Sequence, residues 1–282
     1  MSTGHLSEIP ACGRTKYLTE TMIKFFRKIR YDLMEKNKTG KYLKYAIGEI
    51  VLVVIGILIA LQINNWNEFR KDRVQEQEVL EQLKEEHESN LKQLESKIKM
   101  RNTVIESSRK LLSYIDKPET AISDSILYNF SRGGLRPTFD PIKNDLVSSN
   151  KLSLIQNIKL RKLLSQWESN YHQLNEEEWF WRDYAINTRI PFISDTKLSR
   201  KLYYVTNKIN KKLYLIEDSN YEKNLFNDTK VEIDYHEILL DPKLESIAST
   251  AIFACTDANL QSFALKNNLV EILKLINENL ND

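Results

Sequence analysis

A long run of apolar residues stands out near the N-terminus of this 282-residue chain. Eleven of the fourteen residues from Ile50 to Ile63 are Ile, Leu or Val, and the nineteen residues from Tyr45 to Ile63 include one charged residue, Glu49. As an α-helix, nineteen residues extend roughly 28 Å, close to the thickness of the hydrocarbon core of a bilayer. The alternative, a buried core helix, is typical of shorter runs of about 10–14 apolar residues. The pattern therefore predicts a transmembrane helix over residues 44–66.

The sequence after Trp66 has the spacing of amphipathic helices. One stripe recurs every three or four residues and consists of Leu80, Leu83, His87, Leu91, Leu94, Ile98, Arg101, Ile105, Ser108, Leu112 and Ile115. The segments 153–188 and 243–280 show similar spacing. Only seven Gly and six Pro occur, and 28% of the residues are charged, which suits long helices better than a sandwich or barrel. We predict an all-α fold in which a bundle of long helices, residues 67–282, follows the span.

Helix-breaking residues divide this second region. Lys117-Pro118 ends the first long helix, and Ser123 can cap a short helix that follows it. The Gly133-Gly134 pair is expected to be a flexible point. Asp140-Pro141 and Asp241-Pro242 each combine an N-cap residue with proline at the first helical position, so each predicts the start of a helix.

Basic residues flank the span asymmetrically. Residues 24–44 contain eight Lys or Arg, against four in residues 64–84. Because basic segments are retained in the cytoplasm, we predict an inner-membrane protein with residues 1–43 in the cytoplasm and the C-terminal domain in the periplasm. The basic segment is either an amphipathic helix on the anionic lipid surface or simply the charged flank of the anchor.

The ends of the N-terminal region are less regular. Residues 1–21 show no periodicity, so we expect them to be disordered or absent from a native protein that starts at Met22. The apolar run has no small-x-small pair that would favour cleavage, which indicates an uncleaved signal anchor. Cys12 and Cys255 fall on opposite sides of the predicted span, which would exclude a disulfide between them if the span is real.

The N-terminal sequence also carries a resemblance. The blocks MIKFFRKIR and TGKYLKYAIGEIVLVVIGILIALQINNWNE resemble the start of a family of uncharacterised single-pass membrane proteins from Gram-negative bacteria, classed as a domain of unknown function. The resemblance is strongest over residues 22–68 and continues weakly through FDPIKNDLVSSNKLSLIQNIKLRKLL, where Ser149-Asn150 replaces an expected Ser-Gly pair. It implies location and architecture but no activity.

One face of the predicted span combines small residues with a carboxylate. At about 100° per residue, Glu49, Gly56 and Ala60 fall on the same side of the helix. A small-xxx-small pair lets a second helix approach closely, and a carboxylate there would seek a partner. This predicts contact with a second copy or another membrane protein. Alternatively, Glu49 reaches the cytoplasmic interface and the small residues are incidental.

Aromatic residues concentrate in WESNYHQLNEEEWFWRDY. Trp167, Tyr171 and Trp181 share a helix face. Because Trp and Tyr are enriched where proteins bind partners, they form a candidate partner groove, although core packing explains the same pattern. In the same stretch, His172 and Glu176 lie one turn apart and could bind a metal or share a proton. A zinc site usually has three or four ligands, so packing with a solvated acidic face is the competing interpretation.

The remaining chemistry is sparse. The sequence has no glycine-rich phosphate loop, GxSxG, CxxC, HExxH or calcium-loop motif. We therefore predict no cofactor, no catalytic residues and no nucleic-acid partner, with membrane lipid as the first partner. The predicted function is that of a membrane-anchored interaction, scaffold or sensor module. The alternatives are an extracytoplasmic enzyme or metal-binding protein that uses His172 and Glu176, and a signalling component whose output runs through the basic segment.

Overall fold

The computed structural model describes residues 39–142, 151–208 and 227–280, together with Lys24, Arg27, Lys28 and Tyr31. Throughout these described ranges the regular structure is helical, without a strand, as the all-α prediction requires. The predictions for residues 1–23, including the start at Met22 and Cys12, lie outside the described residues. So does the Ser149-Asn150 pair.

Seven α-helices make up the regular structure of the described ranges. They are α1 Thr39–Asp116, α2 Ser123–Gly133, α3 Ile158–Tyr184, α4 Ile190–Asp195, α5 Ser199–Lys208, α6 Tyr235–Leu240 and α7 Pro242–Leu280. Short 3₁₀ helices cover Pro118–Thr120 and Lys151–Leu154, and a π-helical turn at Ala185–Arg189 joins α3 to α4.

The chain divides into two compact units, Met1–Asp72 and Arg73–Asp282. In the first unit, the apolar part of α1 is not covered by any other residue that the structure describes. The eleven Ile, Leu and Val side chains between Ile50 and Ile63 are 47–69% exposed. Of the helices that the structure describes, α1 is the one long and apolar enough to cross a membrane.

The second unit has a core built mainly from α1, α3 and α7. Near one end, Leu80 of α1 packs with Leu160 of α3 and Ile276 of α7. Near the other end, α2 and α4–α6 close the bundle around Phe130 and Phe192, whose ring centroids lie 5.9 Å apart. Every residue of the predicted α1 stripe from Leu80 to Ile115 is buried or partly buried, so the helical spacing identified the packed face correctly.

The two Asp-Pro predictions have different outcomes. Asp241 does precede a helix, and its Oδ1 accepts a hydrogen bond from the Lys243 backbone N–H at 2.8 Å. The predicted helix start at Asp140-Pro141 is wrong, because Pro141 and Ile142 are not helical. Side chains of α1 bind the backbone there instead.

The Gly133-Gly134 pair has a spatial role that its sequence does not reveal. Gly133 is the buried last residue of α2, where a Cβ would lie 3.2 Å from Ser108 Oγ. A Cβ at Gly134 would collide with the guanidinium of Arg189. That guanidinium donates a hydrogen bond to the Phe130 carbonyl at 2.7 Å. Close packing therefore explains the pair, and the expected flexible point is replaced by a packed helix end.

Candidate functional site

A cluster of polar side chains lies inside the bundle, midway along its long helices. Arg101 of α1 is 1% exposed and Glu178 of α3 is 5% exposed. Asn259 and Ser262 of α7 are also buried. Ionic groups are rarely buried unless they are paired, so this cluster is the most unusual chemistry in the described chain.

Arg101 makes a hydrogen bond through each of its three guanidinium nitrogens. Its Nη1 donates to Glu178 Oε1 in a buried ion pair. Its Nε donates to Asn259 Oδ1 at 2.8 Å, and its Nη2 donates to the Ser262 hydroxyl. Asn259 Nδ2 in turn donates to Asn102 Oδ1 at 2.8 Å. A single arginine thus links α1 to both α3 and α7.

The second oxygen of Glu178 binds the loop that follows α2. Glu178 Oε2 accepts a hydrogen bond from the Phe139 backbone N–H at 2.8 Å. Both carboxylate oxygens are therefore occupied within the bundle. Burial raises the pKa of the Glu178 carboxyl, and the neighbouring Arg101 and the Phe139 N–H offset part of this rise. The cluster fixes the relative positions of three helices and leaves no open acid or base for a substrate.

Two amides on α1 extend this contact along the loop. Asn90 donates to the Ile142 carbonyl at 3.1 Å and accepts from the Ile142 N–H at 2.8 Å. One turn later, Gln93 donates to the Asp140 carbonyl at 3.0 Å and accepts from the Asp140 N–H at 2.8 Å. Each amide thus replaces the two hydrogen bonds that a neighbouring strand would provide, which holds this loop segment along α1 without making it helical.

We expect Asn90→Ala to destabilise this loop segment by about 1–3 kcal/mol, because the N–H and C=O of Ile142 would each lose a part-buried hydrogen bond. The measurement is hydrogen exchange of the full chain, in which the Ile142 amide should exchange about tenfold faster or more. Gln93→Ala, at the more exposed end, is the matched control and should have a smaller effect. Unchanged exchange at Ile142 in the Asn90 variant would contradict this account.

Two further ionisable groups are buried in the bundle, His87 of α1 and Cys255 of α7. The Nε2 atom of His87 has no hydrogen-bond partner among the described residues, while its Nδ1 lies 3.0 Å from the Leu83 carbonyl. Burial lowers the pKa of His87 to about 4, so the ring is neutral at pH 7. Burial raises the pKa of the Cys255 thiol to about 12. A thiol that stays protonated is a poor nucleophile.

The residues of the predicted partner groove pack on the inner side of α3. Tyr171 and Trp181 are 8% and 3% exposed, and Trp167 is partly buried. The Trp181 indole N–H donates to the Leu135 carbonyl at 2.9 Å, and Phe139 meets both Trp167 and Tyr171 edge to face. In this structure they contribute to the core, and a partner groove at these residues stays a prediction.

His172 and Glu176 lie on the outer side of the same helix. Both side chains are exposed, and the ion-pair neighbour of His172 is Glu168, with Nε2 and Oε1 3.8 Å apart. Within the described ranges, no three or more His, Cys, Asp or Glu side chains are grouped as metal ligands. A metal or catalytic role for this pair therefore stays an untested prediction.

The three residues predicted for helix contact in the membrane lie on the apolar part of α1. Gly56 and Ala60 are exposed, and Glu49 is half-buried. A Cβ added at Gly56 would meet no atom within 4 Å. Gly56 and Ala60 are thus uncovered by the other residues that the structure describes, and the contact itself stays a prediction.

The members of the buried cluster were not recognised as a set from the sequence. Arg101 was a polar exception in the α1 stripe, and Glu178 was one of three consecutive glutamates. On α7, Ser262 is a polar exception between Ala258 and Leu265, which are at helical spacing, and Asn259 directly follows Ala258. These polar interruptions at buried positions of two helices were the available signal.

Residues 49–126 are similar to a family of unknown function (DUF6090). The matched stretch overlaps the strongest part of the resemblance over residues 49–68 and continues through α1 into α2. No curated protein and no solved structure shows significant similarity to the chain. The family match supplies no activity, substrate or partner.

Proposed function

We propose that this protein is anchored in the cytoplasmic membrane by residues 44–66 and presents its helical bundle outside the cytoplasm as an interaction, scaffold or sensor module. The observation that carries the proposal is the contrast within α1. Its side chains between Ile50 and Ile63 are exposed, whereas Leu80, Leu83 and Leu94 are fully buried. The same helix thus has one part suited to lipid and another suited to a protein core.

The energetics favour lipid around the first part. At the centre of a membrane helix, each Ile, Leu or Val contributes about 0.3–0.6 kcal/mol towards insertion. Eleven such residues contribute several kcal/mol in total. The eight Lys and Arg of residues 24–44 supply the direction, because they favour a cytoplasmic N-terminus.

A thiol-labelling experiment on the full chain tests the topology. The reporter is Ser169→Cys, at an exposed position of α3, in a background that carries Cys12→Ser and Cys255→Ala. We expect a membrane-impermeant maleimide to label this cysteine in intact spheroplasts. The matched control carries Tyr31→Cys as the single cysteine, at an exposed position on the N-terminal side of the span, and it should be labelled only after the membrane is permeabilised. The reverse pattern would overturn the orientation, and recovery of the chain in the soluble fraction would overturn the anchor.

The bundle supports a binding role better than a catalytic one. Its most concentrated polar chemistry, around Arg101, is used internally and is closed to substrate. The alternative of an extracytoplasmic enzyme or metal-binding protein rests on His172 and Glu176, which provide two exposed groups, fewer than a usual zinc site. Zinc binding by the full chain that disappears in His172→Ala would favour that alternative.

A further inference from the structure

The outer face of α7 carries a second line of apolar residues, opposite the line that faces the bundle core. The exposed fractions of Phe253, Leu260, Phe263 and Val270 are 60%, 63%, 49% and 49%. Two exposed polar residues complete the line, which reads Phe253, Thr256, Leu260, Phe263, Asn267 and Val270. We call these six residues the outer seam. Apolar residues on a protein surface are usually scattered singly, so this alignment needs a separate explanation.

The spacing of the outer seam identifies a helix as its partner. Its steps alternate between three and four residues, which is the a and d pattern by which two helices pack side by side. Phe253, Leu260 and Asn267 occupy a positions, and the other three occupy d positions. An isolated surface helix needs no such repeat on its solvent side.

Apolar and polar groups both border the outer seam. On the α1 side, Leu260 and Phe263 line an open cavity of about 270 Å³, whose α1 wall consists of Ile105 and the polar Asn102, Glu106 and Arg109. On the α3 side, Phe180 is 47% exposed and meets Phe253 edge to face, with ring centroids 6.3 Å apart. A helix laid along α7 would contact both flanks and could place side chains in the cavity.

We propose that the outer seam of α7 binds the outer seam of a second copy of this chain, with the two helices parallel and related by a twofold axis. This inference names a partner for the proposed interaction module. It rests on the proposed function only in taking the bundle to be an interaction module. A twofold contact pairs each position with the same surface of the other copy. The seam must therefore be complementary to itself.

Asn267 supports this self-complementarity. A single asparagine at an a position of a parallel pair meets its own counterpart, and the two amides bind each other. Such an asparagine fixes the register and favours two helices. In an antiparallel pair, a positions face d positions, so Asn267 would face Thr256, Phe263 or Val270. In the parallel pair, each Asn267 faces the Asn267 of the other copy, so the two amides can bind each other.

The charges beside the outer seam also fit a parallel pair. Lys266 lies on one side of the seam and Glu271 on the other, five residues later. In a parallel pair, such positions of the two copies lie next to each other, so each Lys266 would approach the other copy's Glu271. Within one copy, Lys266 Nζ lies 2.7 Å from Glu95 Oε1, and Lys159 Nζ lies 2.5 Å from Glu271 Oε1. Both flanks therefore carry balanced charge and would not repel each other.

Cysteine crosslinking of the full chain in native membranes tests the contact. Asn267→Cys and Leu260→Cys are made singly in the Cys12→Ser, Cys255→Ala background. Mild oxidation should give a disulfide-linked dimer in most of the chain, because both positions meet their counterparts across the axis. Ser169→Cys, exposed on α3, is the matched control and should give at least fivefold less dimer. Adding Phe263→Glu to Asn267→Cys should reduce its dimer to the level of this control.

Each other outcome contradicts the proposal. Crosslinking at position 267 that survives Phe263→Glu would indicate random collision. Absence of crosslinks, together with a monomeric mass in mild detergent, would show that a second copy does not bind the seam. If Phe263→Glu also lowers the thermal midpoint of that monomer, another part of the same chain covers the seam.

Two controls separate this contact from the other proposals. Gly56→Leu would disrupt a contact between membrane helices, and the crosslink at position 267 should remain when it is added. The topology is read independently, by maleimide labelling of the Ser169→Cys variant in the same background. A dimer with the reverse topology would contradict the proposed function alone, whereas a correctly oriented monomer would contradict the dimer alone.

Discussion

Replacing Arg101 with alanine is expected to lower the free energy of unfolding by about 3–5 kcal/mol, because the variant leaves the buried Glu178 carboxylate without its cation. Asn259 and Ser262 would lose hydrogen-bond donors at the same time. The measurement is denaturant unfolding of the detergent-solubilised chain, followed by circular dichroism. Because about 1.4 kcal/mol is a factor of ten in the equilibrium, this loss would be visible as a large shift of the midpoint.

Two variants show whether the loss comes from the unpaired charge. Lys99→Ala changes an exposed cation on the same helix and should alter stability by less than about 0.5 kcal/mol. The double variant Arg101→Met, Glu178→Leu removes both charges and keeps apolar volume, so it should recover much of the stability that Arg101→Ala loses. A double variant as unstable as the single one would contradict the charge explanation.

Acidification is expected to destabilise the bundle through His87. Its pKa is about 4 in the folded state because of burial, against about 6.5 in an unfolded chain. Between these values the unfolded state binds more protons than the folded state. The free energy of unfolding therefore falls as the pH decreases from about 6.5 to about 4, by about 3 kcal/mol in total. Above pH 7 this group contributes no slope.

The variant His87→Phe isolates this effect. Phenylalanine does not titrate, and it retains an aromatic ring beside Trp167, whose ring centroid lies 5.4 Å from that of His87. The difference in unfolding free energy between the two chains should change by about 3 kcal/mol across the window, while contributions from other titrating groups cancel. A constant difference from pH 7 to pH 4 would show that His87 is protonated equally in both states.

The sequence predicts the long helices well because their signal is local. The α1 stripe and the helix after Asp241 follow from residues spaced three or four apart, which pack on one face whatever lies opposite. The same spacing could not show why polar residues occupy the stripe. Arg101 is satisfied by Glu178, Asn259 and Ser262, which lie 77, 158 and 161 residues away. One sequence gives no information on such distant pairs.

The errors have the same physical origin. Asp140-Pro141 has the local features of a helix start, but Asn90 and Gln93 bind the backbone there from 52 and 47 residues away. The Gly133-Gly134 pair suggested flexibility because glycine has few local restrictions. The space it leaves is used by Ser108 and Arg189, which no local pattern connects to it.

The π-helical turn at Ala185–Arg189 makes the bundle sensitive to length changes in a particular way. The turn closes with the Ile190 N–H donating to the Ala185 carbonyl, one residue farther than in an α-helix. One residue more or less at this turn would rotate α4 by about 100° while shifting it by only about 1.5 Å. Phe192 would then turn away from Phe130. A single deletion here would therefore change which face of α4 packs on the bundle, while the position of α4 along its axis would change little.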